Sequence, residues 1–161
     1  MSAFAHELAE PRRAWLLPDH VENSRPDNQI RAARAGSFGP AGRPILVVDD
    51  DESIRDMLRG VLASAGYKVS LAADGEAALV AIEAERPALV LLDMRMPKVD
   101  GWEFARRLRQ RGLHLPILVM TAIGDARSSA AEIEAVGYLA KPFEVDQLLT
   151  QVARHHEAAP N

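Results

Sequence analysis

Acidic residues follow two of the most apolar segments of this chain. Asp49 and Asp50 come directly after residues 45–48, and Asp93 comes directly after residues 89–92. A continuous apolar run of this length that ends in a polar residue is typical of a strand buried on both faces. A carboxylate at the end of such a strand is suited either to bind a metal ion or to be chemically modified.

Three carboxylates that lie close together repel one another unless a cation joins them. A ligand set of oxygens without histidine or cysteine favours Mg²⁺, which binds through one or two carboxylates together with phosphate oxygens. Such an ion would shield an incoming phosphoryl group from the charge of Asp93 and stabilise charge on its oxygens. The strand ends offer no Ser–His or Cys–His pair and no Gly-rich phosphate loop. Asp93 is therefore the predicted nucleophile, and an acyl phosphate is its product.

Thr121 and Lys141 follow two further predicted strands, residues 116–120 and 138–140. The hydroxyl of Thr121 and the point charge of Lys141 suit the phosphoryl oxygens that a metal ion does not reach. Each residue also has an ordinary structural interpretation, as a strand-end hydroxyl and as a solvated surface lysine. Their convergence with the three carboxylates at one edge of a sheet is what favours a phosphoryl site.

Alternating strand and helix patterns must position these side chains. The predicted strands cover residues 45–48, 67–71, 88–92, 116–120 and 138–140, and the predicted helices cover residues 52–65, 74–85, 100–111, about 126–133 and 144–155. Asp51 and Asp74 are placed as N-caps, and Asp100 with Glu103 forms a capping-box pattern. Five βα units with short connections predict an α/β protein with a flavodoxin-like, doubly wound parallel sheet of order 2-1-3-4-5 and helices on both faces.

The overall composition excludes several classes of function. The chain of 161 residues has a net charge of −4, so it lacks the excess of positive charge that is typical of proteins that bind nucleic acids directly. It has no cysteine, so disulfides, thiolate metal sites and thiol catalysis are excluded. No apolar run approaches the roughly 20 residues that span a bilayer, and the N-terminus lacks a signal-peptide pattern. We therefore expect a cytoplasmic protein that does not insert into a membrane.

Residues 1–43 differ from the rest of the chain. They contain four of its ten prolines and no sustained apolar face, which predicts a mostly disordered extension that ends in a linker. Its role is either that of a spacer or leader, or that of a docking tail carried by residues 15–17. Residues 44–155 form the predicted folded domain, and residues 156–161 form a polar tail.

Four sequence motifs at the predicted strand ends resemble those of a known family. The motifs are Val47-Val-Asp-Asp50, Leu92-Asp-Met-Arg-Met-Pro97 with Asp100-Gly101, Met120-Thr-Ala122 and Tyr138-Leu-Ala-Lys-Pro-Phe143. Over about residues 44–155 the chain resembles the receiver domain of two-component response regulators, in the single-domain form of chemotaxis receivers. The resemblance implies that Asp93 accepts a phosphoryl group from a phosphohistidine on a sensor histidine kinase or a histidine phosphotransfer protein.

The resemblance also implies a metal site. Mg²⁺ would be bound directly by Asp50, Asp93 and the backbone carbonyl of Arg95, with Asp49 acting through water. Arg95 and Ile123 occupy positions that tune hydrolysis of the acyl phosphate in this family. Because neither side chain is an acid or an amide that positions an attacking water, we predict a comparatively long-lived phosphoryl group.

The resemblance implies in the same way that Thr121 and Tyr138 change conformation together when the protein is phosphorylated. Thr121 would move toward the phosphoryl group, and the ring of Tyr138 would turn inward into the vacated space. Ala122 is small, as access to the phosphoryl group requires. The Lys141–Pro142 peptide bond is expected to be cis, which places Lys141 over the site.

The implied function is that of a signalling protein and not of an enzyme, with only weak self-phosphorylation and self-dephosphorylation. Phosphorylation would shift the population of a face formed by the fourth helix, the fifth strand and the fifth helix. That face would bind a downstream protein, or the phosphoryl group would pass along a relay. Because only a few polar residues follow the last predicted helix, we expect no output domain, unless the sequence is a fragment of a longer regulator. The oligomeric state stays open, with a homodimer as one option.

Two other functions use the same fold. A phosphorylation-independent adaptor would keep the receiver fold for docking only, but it would not need the acidic pair, Thr121 and Lys141 together. A flavin- or nucleotide-binding protein is disfavoured, because an acidic end of the first strand repels phosphate where such proteins present backbone amides.

Overall fold

The computed structural model describes residues 42–122 and 124–156. The predictions for the disordered extension, up to residue 41, and for the polar tail from residue 157 onward lie outside the described residues. The predicted influence of Ile123 on hydrolysis also concerns a residue outside them.

Five short apolar segments form one parallel sheet. The strands are β1 Ile45–Val48, β2 Val69–Ala72, β3 Leu89–Asp93, β4 Ile117–Ala122 and β5 Gly137–Lys141. Their order in the sheet is β2-β1-β3-β4-β5, and every neighbouring pair is parallel. The predicted flavodoxin-like topology is confirmed.

Helices cover both faces of the sheet. They are α1 Glu52–Ser64, α2 Gly75–Ala84, α3 Gly101–Gln110, α4 Ala126–Glu132 and α5 Val145–His156. On one face, α2, α3 and α4 pack on a cluster that contains Leu46 and Val48. On the other, α1 and α5 pack on a cluster that contains Ile45 and Val47. Because side chains alternate along a strand, β1 is buried on both faces, and each such aliphatic side chain contributes about 1.5–3 kcal/mol.

Aspartate side chains cap the N-terminal ends of three helices. The Oδ1 atom of Asp51 accepts hydrogen bonds from the amides of Ser53 at 2.8 Å and Ile54 at 3.3 Å. Asp74 and Asp100 cap α2 and α3 in the same manner. The predicted N-caps are confirmed, and each satisfies amides that the helix leaves unpaired. The carboxylate of Glu103, expected in a capping box, accepts hydrogen bonds from Arg106 and Arg107.

Two strands run further than the sequence predicts. The pattern ends the fourth strand at Met120 and the fifth at Ala140, whereas β4 continues to Ala122 and β5 spans Gly137–Lys141. The two strands remain paired at Thr121↔Ala140 and Ala122↔Lys141. Pairing between β4 and β5 therefore fixes the backbone of Thr121 and Lys141, the polar residues that follow the two apolar runs.

The last helix also continues further. A polar tail was predicted from residue 156, but His156 is the final residue of α5. Its ring packs against Tyr67 in an edge-on arrangement, with the ring centroids 5.1 Å apart and an angle of 65° between the planes. This aromatic contact keeps the end of the helix on the domain.

Within residues 42–122 and 124–156, no helix combines the length and the apolar character that crossing a membrane requires.

Candidate functional site

The three acidic residues that were predicted to converge lie together at one end of the sheet. β1 and β3 are direct neighbours, with Val48 opposite Leu92, so that their carboxyl ends lie side by side. One carboxylate oxygen from each of Asp49, Asp50 and Asp93 lies within 4.8 Å of the others. Asp49 and Asp93 are only 1% and 8% exposed, whereas Asp50 faces solvent. The cluster has two buried acids and one accessible acid at its rim.

The donor set of this cluster fits a hard divalent cation. Carboxylate oxygens are the ligands that Mg²⁺ and Ca²⁺ take, whereas histidine and cysteine are the usual ligands of Zn²⁺. Three carboxylates beside one lysine leave excess negative charge in a partly buried place, and a divalent ion would neutralise it. The residues present therefore satisfy the chemistry of the metal site that was predicted.

Lys141 lies between the two buried acids. Its Nζ atom donates to Asp49 Oδ2 at 2.7 Å and lies 3.5 Å from Asp93 Oδ2. The peptide bond between Lys141 and Pro142 is cis. The sequence pattern assigned this ammonium group to phosphoryl oxygens. In the structure its nearest partner is Asp49, which holds the charge beside Asp93.

Burial raises the pKa of Asp93 above its ordinary value. The charge of Lys141 and the backbone N–H of Arg95 lower the pKa of Asp93, and the charge of Asp49 raises it. Burial prevails because Lys141 is shared and lies closer to Asp49. A cation bound beside Asp93 would favour its charged form, which is the nucleophilic one.

Thr121 and Ala122 end β4 at the same edge of the sheet. Thr121 is buried, with 1% of its surface exposed, and Ala122 is exposed. Ala122 lies opposite Lys141 in the ladder between β4 and β5. The three residues predicted to contact a phosphoryl group are therefore neighbours at the end of the sheet that carries Asp93.

Tyr138 lies one strand further from the acidic cluster. It is opposite Val119 in the β4–β5 ladder, and 43% of its surface is exposed. The ring is thus open to solvent while Thr121 is buried. This is the arrangement from which the predicted inward rotation would start.

Arg95 contacts Asp93 through its backbone and a different acid through its side chain. Its N–H donates to Asp93 Oδ1 at 3.3 Å, and its Nη2 atom forms an ion pair with Asp125 Oδ2. Asp125 was not predicted as a functional residue, because an aspartate immediately before a helix predicts a cap and does not indicate a partner 30 residues away. In the structure its side chain caps no amide of α4.

A glycine closes the loop that follows Asp93. The N–H of Gly101 donates to the carbonyl oxygen of Met94 at 3.0 Å. A Cβ atom at Gly101 would lie 2.8 Å from Met94 Cα and 3.0 Å from the carbonyl oxygen of Asp93. A glycine at this position lets the start of α3 approach the backbone of the acidic cluster without such a clash.

Comparison with known proteins places this arrangement in a family. Residues 45–153 match the response regulator receiver domain. Response regulator MprA of Mycolicibacterium vanbaalenii is 46% identical over 110 residues, which are 67% of this chain and 48% of that protein. MprA of Mycobacterium avium has the same identity over the same length. The chain spans about half the length of these curated relatives.

Solved structures of similar chains share the fold. Chemotaxis protein CheY4 of Vibrio cholerae has a TM-score of 0.64 at 34% identity, with 70% of this chain and 98% of CheY4 covered. NtrX of Brucella abortus has a TM-score of 0.67 at 30% identity, with 73% of this chain and 27% of NtrX covered. The family match contains the whole acidic cluster together with Thr121 and Lys141. This chain belongs to the response regulator receiver family.

Proposed function

We propose that the chain is a phosphoacceptor and that Asp93 receives the phosphoryl group. The observation that supports this most directly is the convergence of three carboxylates and one lysine at the carboxyl end of β3. Asp93 is the acid in this cluster that is both buried and held by comparatively long contacts, at 3.3 Å to Arg95 N and 3.5 Å to Lys141 Nζ. A carboxylate with poorly compensated charge is suited to attack phosphorus once a cation is present.

The proposed donor is a phosphohistidine on a sensor histidine kinase or a histidine phosphotransfer protein. A carboxylate oxygen of Asp93 forms the new P–O bond as the P–N bond of the donor breaks, and the histidine nitrogen leaves with the electron pair. The same chemistry allows weak self-phosphorylation from a small acyl phosphate and slow self-dephosphorylation by water. The chain acts as a signalling protein, and neither reaction makes it an enzyme in the ordinary sense.

The proposed metal is Mg²⁺, held by Asp50, Asp93 and the backbone carbonyl of Arg95, with Asp49 contributing through water. When bound, the ion supplies charge neutralisation between the carboxylates and the incoming phosphoryl group. The exposed position of Asp50 leaves room for the water ligands that Mg²⁺ retains. Lys141 stays beside Asp93 through its contact with Asp49.

Thr121, Ala122 and Lys141 are the proposed contacts of the phosphoryl oxygens. Tyr138 is the proposed reporter of the modified state, in which its ring turns inward. The exposed ring borders a groove of about 630 Å³ between β5 and α5, which Pro142, Gln147 and Thr150 also line. We assign this groove to a downstream protein partner or to a second copy of the chain in a homodimer.

Residues 44–155 are the proposed receiver domain, and residues 1–43 the proposed spacer or docking extension. The proposed donors are phosphorylated by kinases that use ATP, so the proposed location is the cytoplasm. No direct contact with nucleic acid is part of this function.

Incubation with Mg²⁺ and acetyl phosphate, followed by intact-mass analysis, tests the proposal. The wild-type chain should gain one phosphoryl group, and Asp93→Ala should gain none. Asp56→Ala is a matched control, because Asp56 is an exposed acid on α1 whose partner is Arg59; this variant should be modified like the wild type. If neither acetyl phosphate nor a phosphorylated histidine donor protein modifies the chain, the function as a phosphoacceptor is wrong and a docking adaptor is favoured.

A further inference from the structure

Arg95 and Asp125 form an ion pair between the two loops that flank the acidic cluster. Arg95 lies in the loop after β3, and Asp125 lies in the loop after β4. Their Nη2 and Oδ2 atoms are in contact although the residues are 30 positions apart. The pair therefore connects the backbone beside Asp93 to the beginning of α4, and the function proposed above gives it no role.

The position of Arg95 places its guanidinium within reach of the phosphoacceptor. Its N–H donates to Asp93 Oδ1 at 3.3 Å, and its side chain is 68% exposed. An arginine side chain that starts so close to Asp93 is long enough to reach oxygens of a phosphoryl group on that carboxylate. In the unmodified protein Lys141 already lies between Asp93 and Asp49, and Arg95 pairs with Asp125.

Asp125 stands at the N-terminal end of α4 but does not act as a side-chain cap. The helix has seven residues, and its buried side chains, at Ala126, Ser129 and Ala130, are all small. The large buried aliphatic side chain next to the helix, Ile133, is its C-cap and lies at the opposite end. Little apolar surface therefore holds the first turn of α4, where polar contacts contribute more to its attachment. At the other end, Glu132 Oε2 accepts a hydrogen bond from Trp102 Nε1 at 2.6 Å.

We infer that the Arg95 side chain contacts the phosphoryl group once Asp93 is modified, and that Asp125 binds this side chain until then. The inference rests on the proposed function. When Asp93 carries a phosphoryl group, the Arg95 guanidinium leaves Asp125 for the phosphoryl oxygens. The first turn of α4 then loses its attachment to the loop after β3. Modification of Asp93 is in this way transmitted to α4.

Charge decides the direction of this exchange. A phosphoryl group carries more negative charge than a single carboxylate, and it accepts two parallel hydrogen bonds from a guanidinium. The pair with Asp125 is exposed on both sides, with 68% and 45% of the side-chain surfaces accessible. Exposed ion pairs are weak because water screens them. The phosphoryl group is therefore the stronger partner.

Amide hydrogen exchange of the unmodified full chain tests the attachment itself. The N–H of Ser129 donates to the carbonyl oxygen of Asp125 at 2.9 Å, so its exchange rate reports opening of the first turn of α4. Asp125→Asn should accelerate this exchange roughly two- to fivefold, the range that loss of a weak exposed ion pair allows. Glu83→Gln, which removes a comparably exposed pair with Arg111, is the control and should leave Ser129 unchanged. An unchanged rate in Asp125→Asn overturns the inference.

The same measurement after phosphorylation tests the transfer of Arg95. Intact mass first verifies a phosphoryl adduct in the presence of Mg²⁺ and acetyl phosphate. The adduct should raise the Ser129 exchange rate of the wild type to that of unmodified Asp125→Asn. In Asp125→Asn and Arg95→Gln, which already lack the ion pair, the adduct should not raise this rate further. An adduct that leaves wild-type exchange unchanged overturns this inference and leaves the proposed function intact. Failure to form any adduct on Asp93 overturns both.

Discussion

Asp49 holds Lys141 more closely than Asp93 does, at 2.7 Å against 3.5 Å. Asp49 also accepts a hydrogen bond from the N–H of Asp51 at 3.0 Å, and its carbonyl oxygen accepts one from Arg55 Nη1 at 2.7 Å. Among the described residues, the side-chain contacts of Asp93 are the longer ones, to Arg95 N and Lys141 Nζ. The two buried acids therefore differ in kind. Asp49 fixes the lysine in place, and Asp93 keeps a poorly compensated charge.

Neutralising these two acids should change stability in opposite directions. Asp93→Asn removes an unfavourable buried charge, keeps an oxygen for the N–H of Arg95 and leaves Lys141 paired with Asp49. Its free energy of unfolding should rise by about 1 kcal/mol at neutral pH. Asp49→Asn removes the nearest charged partner of the largely buried Lys141 and should lower the free energy of unfolding by about 2 kcal/mol. Urea unfolding without divalent ions measures both, and a loss of stability in both variants would contradict the assignment.

The stability of the wild type should decrease as pH rises from acidic to neutral values because of Asp93. Burial raises its pKa in the folded state, so between the ordinary carboxyl pKa and this raised value the folded chain keeps a proton that the unfolded chain has lost. The free energy of unfolding then falls with increasing pH. Below that window Asp93 is protonated in both the folded and the unfolded state, and its buried charge no longer destabilises the fold.

Asp93→Asn lacks this titration, so its advantage over the wild type should grow with pH across the window. Urea midpoints of both proteins, taken in chelator at several values between about pH 4 and pH 7, give the comparison. A constant difference at every pH would show that burial of the Asp93 charge does not govern stability.

Mg²⁺ should raise the melting temperature of the wild type, because a ligand that binds only the folded state stabilises it. At ten times the dissociation constant the gain is about 1.4 kcal/mol, which corresponds to several degrees for a domain of this size. Asp50→Asn should lose most of this shift. Asp51→Asn is the matched control, since the neighbouring acid caps α1 through its side chain and asparagine caps equally well. Thermal unfolding with Mg²⁺ and with chelator measures the shift, and equal behaviour of the two variants would exclude Asp50 as a ligand.

Gly101→Ala should destabilise the domain and impair phosphorylation. The added Cβ would meet Met94 Cα at 2.8 Å and the carbonyl oxygen of Asp93 at 3.0 Å, and backbone at this distance has to shift, at a cost of about 1–3 kcal/mol. Gly60→Ala, in the interior of α1, meets nothing within 4 Å and should instead gain about 0.5–1 kcal/mol. Thermal unfolding and the rate of adduct formation report the two effects. A Gly101→Ala chain that melts like the wild type would show that the loop after Asp93 adapts freely.

Ile123→Glu should shorten the lifetime of a phosphoryl group on Asp93 severalfold, because the family resemblance implies that this position tunes hydrolysis and a carboxylate, unlike isoleucine, can act on water. Ile123→Val keeps the apolar character and should leave the lifetime close to that of the wild type. Decay of the purified adduct, followed by intact mass after removal of acetyl phosphate, gives the rate. Equal decay in Ile123→Glu and wild type would contradict the predicted role of this position.

The sequence by itself determined the fold, because its signals are local and agree with one another. Fully apolar runs such as residues 45–48 specify strands buried on both faces, and Asp51 and Asp74 mark helix starts within their own turns. Short βα connections then restrict the handedness and order of the sheet. Since Asp49, Asp50 and Asp93 directly end neighbouring strands, their convergence followed from the same pattern.

Only the tertiary structure decided how the charges are paired. Lys141 and Asp49 are 92 residues apart, and Arg95 and Asp125 are 30 apart, so no periodicity or spacing connects them. Long charged side chains choose among several partners within reach, and small differences in position and burial settle the choice. Strand pairing brings those partners together, and the pairing is therefore a property of the folded chain.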